Sequence, residues 1–137
     1  MNEQFDLTPL ANAVKRLAEG LAEYQSNPAH TLVRDGLVQR FEFTYEISHK
    51  MLKRYLQATF ASPAELDAMS FGDLIRTGNE QDLLRGTWPD WKRYCEMRAR
   101  TSHTYDESVA LQVVAVIPSF LAEAEYLLEQ LQMRNAE

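Results

Sequence analysis

Cysteine is nearly missing: Cys95 stands alone in 137 residues. That excludes an internal disulfide and any cysteine-built metal cluster, and a single thiol suits a reducing compartment. Histidine is almost as sparse. His30, His49 and His103 are scattered, with neither the H-x3-H nor the H-E-x-x-H spacing of a zinc-binding helix, so no metal is expected. A glycine-rich phosphate loop and a G-x-S-x-G elbow are also absent, and no cofactor is expected. Five glycines and five prolines leave long uninterrupted stretches, which favour helix over sheet. The opening residues, M-N-E-Q-F-D-L-T-P-L, lack the basic region and apolar run of a signal peptide. No apolar run approaches the roughly 20 residues that cross a bilayer. These absences predict a cytoplasmic protein with no membrane association.

An excess of positive charge is lacking too. Asp and Glu total 20 against 14 Lys and Arg, a net charge of −6. A broad nucleic-acid surface is therefore excluded, and any nucleic-acid chemistry needs a locally basic site on an acidic body. What is present is a 45% hydrophobic chain of 137 residues, enough for one core and one domain.

Thr8 and Pro9 can open a first helix, with Leu10, Val14, Leu17 and Leu21 as its apolar stripe, ending near Ser26-Asn27-Pro28. A second helix is predicted from about Thr31 to Ala61. Its stripe is Val33, Leu37, Phe41, Thr44, Ile47, Met51, Tyr55 and Ala58, widened by Phe43, Leu52 and Leu56. At 1.5 Å per residue it would be about 45 Å long, the backbone of a bundle. Ser62-Pro63 breaks it. Ser70 can cap a short helix that Gly78-Asn79 stops, and another turn can cover Glu80 to Leu84. Thr87 opens a helix through Trp88, Trp91, Cys95 and Arg98. Thr104-x-x-Glu107 reads as the capping box of a last helix, which Pro118 should kink. The expected fold is all-α: an up-and-down antiparallel bundle of about four to five helices.

The chemistry concentrates between the last two of these helices. W-K-R-Y-C-E-M-R-A-R-T-S-H-T-Y-D-E, residues 91–107, sets Lys92, Arg93, Arg98 and Arg100 against Glu96 in its basic part. Arg98, His103 and Tyr105 read R-x4-H-x-Y. On a continuous helix a five-residue spacing does not make neighbours. At a helix end followed by a turn, His103 can fold back beside Arg98. Arginine offers a planar fork of donors to phosphate oxygens, and histidine can take a proton from a 2′-hydroxyl or give one to a leaving oxygen. Arg100, Ser102 and Thr104 are possible supporting groups. The bland alternative is that Arg98 pairs with Asp106 or Glu107, that His103 is a satisfied loop residue, and that Tyr105 and both tryptophans are core. His30 reads as a cap or surface residue, His49 as surface or interface, and Asp35 and Arg40 as a salt-bridged helix face.

Longer patterns carry a resemblance. R-D-G-L-V-Q-R-F-E-F-T-Y-E-I at 34–47, K-M-L-K-R-Y-L at 50–56 and W-x6-R-x4-H-T-Y-D-E at 91–107 are similar to the HEPN-domain proteins known as nucleotidyltransferase substrate-binding proteins. The likeness runs from Leu7 to about Leu131. It implies a HEPN-like helical bundle, usually a homodimer, that binds a minimal nucleotidyltransferase (MNT), within a larger hetero-oligomer in some assemblies. It also implies the toxin of a HEPN/MNT toxin–antitoxin pair: a metal-independent endoribonuclease acting on RNA, with two R-x4-H motifs meeting across the dimer. Arg98 and His103 would be catalytic, and Tyr105 would accept AMP from ATP through the partner and so silence the site. Two positions depart from the pattern: Ala99, where asparagine is common, and His49, where tryptophan is expected. The runner-up is a non-catalytic substrate-binding or partner subunit of a nucleotidyltransferase, and a plain interaction bundle is the third reading.

Overall fold

The computed structural model describes residues 5–60 and 62–135. Within them lie six helices: α1 (Thr8–Ser26), α2 (Thr31–Thr59), α3 (Pro63–Asp67), α4 (Phe71–Glu80), α5 (Trp88–Ala99) and α6 (Glu107–Asn135). A 3-10 turn, Thr101–His103, joins α5 to α6. The count exceeds the expected four to five because α3 is one short turn nucleated by Ser62 and Pro63, the pair read from sequence as a break. Ala61, the expected end of α2, lies outside the described residues.

Most helix starts follow their capping chemistry. The His30 imidazole Nδ1 accepts from the Val33 amide at 3.3 Å, so this histidine is a cap. Ser70 accepts from the Asp73 amide at 3.1 Å, and Thr87 with Asp90 forms a capping box. Two starts differ from expectation. Thr8 is the first residue of α1, not its cap, and its amide donates to Asp6 at 3.0 Å. The Thr104 box is not formed. Asp106 accepts from the amides of Ser108 and Val109 at 2.9 and 3.4 Å, while the Thr104 hydroxyl turns to the Thr101 carbonyl. A charged acceptor next to the first free amides outcompetes a hydroxyl two residues earlier. Gly78 and Asn79 lie inside α4 rather than ending it, and Pro118 lies within α6 without ending it.

The helices α1 and α2 form a hairpin on a short connection, and both pack on α6. An aromatic hub ties α2, α5 and α6. The Phe120 ring lies 5.2 Å from Phe41, 5.3 Å from Tyr94, and 6.0 Å from both Tyr45 and Trp91. These are edge-on or tilted contacts of the kind aromatic pairs prefer. Phe43 does not widen the buried stripe: two residues past Phe41, it falls on the outer side of the turn and is 60% exposed. The apolar character of α6 needs an amendment to the sequence reading. This helix has the length and hydropathy of a bilayer span, but half of that window is buried in the bundle, which identifies a core helix.

Glu123 is the exception inside α6. It is buried, and its carboxylate accepts from the amides of Arg85, at 2.8 Å, and Gly86. At Gly86 a Cβ would sit 2.2 Å from a Glu123 oxygen, so any larger residue would force that carboxylate to move. Burial pushes the Glu123 carboxyl above its ordinary value of 4.5, against the pull of those two amides. The folded state therefore binds this proton more tightly than the unfolded chain. Its contribution to stability is complete below pH 4.5 and is lost as pH rises through the raised folded value. Melting temperatures across acidic to neutral pH should show the advantage of wild type over Glu123→Gln shrinking as pH rises. A constant difference would contradict this.

Candidate functional site

The site is assembled from the last turn of α5, the 3-10 turn and the middle of α2. Arg98 leaves α5 toward α2. Its guanidinium donates to Glu46 through Nε at 3.1 Å and through Nη2, and Nη2 lies 3.7 Å from Glu42. The bond to Glu46, aided by Glu42, raises the arginine above its ordinary value and keeps it charged. Beneath it the Tyr45 ring is buried, and burial, with the Cys95 thiol beside it, pushes its hydroxyl up, so it stays protonated. The expected partners Asp106 and Glu107 are used elsewhere: Asp106 caps α6, and Glu107 pairs with Arg34 at 3.0 Å.

The turn that follows is pinned from beneath. Thr101 is buried, and its hydroxyl donates to Glu42 at 2.7 Å, with the Arg98 carbonyl 2.8 Å away. The His103 amide donates to the Arg100 carbonyl at 3.0 Å, and the Asp106 amide to the His103 carbonyl at 3.1 Å. Backbone bonds thus close the turn, with Ser102 and His103 exposed on its outer side. His103 is exposed, its ring edge-on to Tyr105 with centroids 6.2 Å apart. Tyr105 is 87% exposed, so it is not a core residue. An aromatic ring held this far into water by a structured turn is accessible to a second molecule.

Sequence-predicted residues therefore divide. His103 and Tyr105 come together. Arg98 lies one turn away with its guanidinium on α2, and among the described residues no hydrogen bond joins it to His103. Arg100 donates to Gln112 on α6, Ser102 is exposed, and Thr104 serves the turn. Trp91 is fully buried and Trp88 packs on Phe71 at 5.6 Å, as core residues should. His49 does the packing work of the tryptophan expected there: its ring lies 4.7 Å from Phe71 and 6.4 Å from Tyr45. It is half-buried, and that burial, reinforced by Lys53, lowers its proton affinity. Among the described residues no group of His, Cys, Asp and Glu is placed to hold a metal ion. A groove of about 530 Å³ lies between α1 and α2, but its lining includes none of the motif residues.

Sequence reasoning missed Glu42, Glu46 and Thr101. The signals were the i,i+4 spacing of the two glutamates, which is the ordinary pattern of a solvated helix face, and their place in the 34–47 stretch that carries the resemblance.

With this geometry in place, comparison with known proteins is decisive. Residues 5–133 match the family model described as "Nucleotidyltransferase substrate binding protein like". The chain belongs to this family. A Haemophilus influenzae protein named "Probable ribonuclease HepT" is 44% identical over 100 residues, which cover 73% of this chain and 68% of that protein. The solved structure of HI0074 from Haemophilus influenzae, described as revealing the fold of a substrate-binding domain of a nucleotidyltransferase, superposes with a TM-score of 0.86 at 34% identity. It covers 93% of this chain and 99% of that one. A Thermus thermophilus structure matches with a TM-score of 0.71 at 27% identity over 89% of this chain and 98% of that one. The resemblance read from the motifs and the helical-bundle fold both hold.

The clamp on the turn makes a prediction for this family member. Thr101→Val keeps the shape and removes the hydroxyl, leaving the Glu42 carboxylate short of a donor. Stability should fall by about 1–3 kcal/mol in denaturant unfolding, and amide exchange should speed up across residues 101–104. Unchanged exchange there would show that the turn does not depend on this bond.

Proposed function

We propose that this protein is the ribonuclease toxin of a HEPN/MNT pair, active as a homodimer on RNA and silenced by a partner nucleotidyltransferase. The observation that carries the reading is the exposed His103–Tyr105 pair on a rigid turn one helical turn from Arg98. The relative named as a probable ribonuclease, at 44% identity, supports it. One chain offers an open surface with a single histidine. Cleavage by general acid–base chemistry needs two proton-transfer roles, which two copies facing one another supply.

In that arrangement a neutral His103 takes the proton of the RNA 2′-hydroxyl. The 2′-oxygen attacks the adjacent phosphorus, and the bond to the 5′-oxygen breaks. The partner copy's protonated imidazole gives that oxygen its proton. The products are a 2′,3′-cyclic phosphate and a 5′-hydroxyl. Arg98 binds the non-bridging oxygens as charge builds on them. No step needs a metal. Arg100, Ser102 and Thr104 act in this reading as supporting groups, with Thr104 holding the turn. Adenylylation of Tyr105 joins its phenolic oxygen to the α-phosphorus of ATP and releases pyrophosphate. The added phosphate sets negative charge and bulk beside His103, repelling and occluding RNA.

A second reading, a non-catalytic subunit that presents substrate to a nucleotidyltransferase, is favoured by one observation: Arg98 is already engaged by two carboxylates. The two readings separate in cells. Induced expression should arrest growth, and His103→Ala should relieve the arrest. Harmless wild-type protein that still captures the nucleotidyltransferase would favour the second reading. On co-expression with the nucleotidyltransferase, mass spectrometry should find AMP on Tyr105. Tyr105→Phe should stay unmodified and toxic despite the partner. Neutralisation of Tyr105→Phe would mean that the partner acts by masking alone.

A further inference from the structure

Arginine presents a planar edge of N–H donors to phosphate oxygens, and a carboxylate oxygen competes for the same donors. The Nε–Nη2 edge of Arg98, the edge that would take a phosphate, is already occupied by Glu46, whose one oxygen Oε1 receives a bond from each nitrogen. The two glutamates beneath Arg98 are not equivalent. Glu42 is tied down: it accepts from the buried Thr101 hydroxyl at 2.7 Å and only approaches Arg98, at 3.7 Å. Glu46 has no other partner among the described residues, and its side chain is 56% exposed against 39% for Glu42. Together they outweigh the one charge of Arg98, so this patch carries net negative charge just where an RNA phosphate must arrive.

We propose that Glu46 is a substrate-mimicking latch on Arg98, displaced by the RNA phosphate, and that Glu42 is the positioning residue that keeps Arg98 and the turn in place during the exchange. The inference rests on the ribonuclease reading and adds to it an internal competitor. An exposed ion pair is worth about 0.2–1 kcal/mol, so the latch is weak enough to open on substrate binding. Until RNA arrives it lowers the effective affinity of the site and screens Arg98 from smaller anions. Glu42 cannot take this part without breaking its 2.7 Å bond to the buried Thr101 hydroxyl, which would leave the Arg98 carbonyl as that hydroxyl's one acceptor.

The experiment compares binding of a labelled single-stranded RNA by the full-length protein in a His103→Ala background, and cleavage kinetics in the His103-intact background. Glu46→Gln should tighten binding by about 1.4- to fivefold, the ratio that the energy of an exposed pair gives. KM should fall by the same factor. Adding Arg98→Ala should abolish the gain. Glu42→Gln removes the same charge from the same helix, yet should leave RNA affinity near wild type and lower kcat as the turn loosens. Glu46→Ala serves as a second variant, with thermal melting to verify the fold of each. Unchanged or weaker RNA binding in both Glu46 variants overturns the latch. Equal tightening by Glu42→Gln overturns it too, since the effect would then be general charge removal. Tightened, Arg98-dependent binding by a protein that cleaves no RNA would sink the ribonuclease reading and leave the latch standing. Cleavage without tightening would do the reverse.

Discussion

The packing of α2, α5 and α6 around Phe120 is the constraint on which the rest depends. Four aromatic rings from α2 and α5 meet that one side chain. Interlocking rings tolerate little sliding, because close-packed interiors lose contacts with small displacements. This register sets Arg98 of α5 opposite Glu42 and Glu46 of α2. It also fixes the end of α5, and so where the turn bearing His103 begins. The chemistry at the surface is positioned by a hydrophobic lock one layer below.

Charge follows from the same geometry. The chain is acidic overall, at −6, and the stretch from Lys92 to Arg100 is locally basic. The local cations are not simply displayed: Arg98 is neutralised by α2 and Arg100 is held by Gln112. An arginine partnered in this way is held in one place by its carboxylates rather than free in solvent. Glu123 shows the other use of a carboxylate in this fold. Buried away from the motif, it fastens the 85–86 loop to α6, where Tyr126 and Arg134 add bonds to Asp82 and Gln81.

Much of the fold was legible in the sequence because helices announce themselves by periodicity. The stripe Leu10, Val14, Leu17, Leu21 is buried as read, and α2 begins at Thr31 as expected. Details decided by competition between neighbours were less legible. Asp106 displaced Thr104 as the cap of α6 because a carboxylate is the stronger acceptor. Phe43 looked like core because hydrophobicity alone does not reveal which side of a widened stripe faces out. At the site, Arg98, His103 and Tyr105 were visible through their spacing and the family pattern. Their partners were not. Glu42 and Glu46 lie 52–56 residues before Arg98 in the chain, and nothing local marks a helix-surface glutamate as the counter-charge of a distant arginine.

The central claim is that Arg98 and His103 form half of an RNA-cleaving site. Its most direct test is cleavage of single-stranded RNA by the purified protein in the presence of a metal chelator, comparing wild type with His103→Ala. The account predicts cleavage by wild type, with 2′,3′-cyclic phosphate ends, and a loss on the order of a hundredfold or more in the variant. Equal activity in the two proteins, or none in wild type, would contradict it.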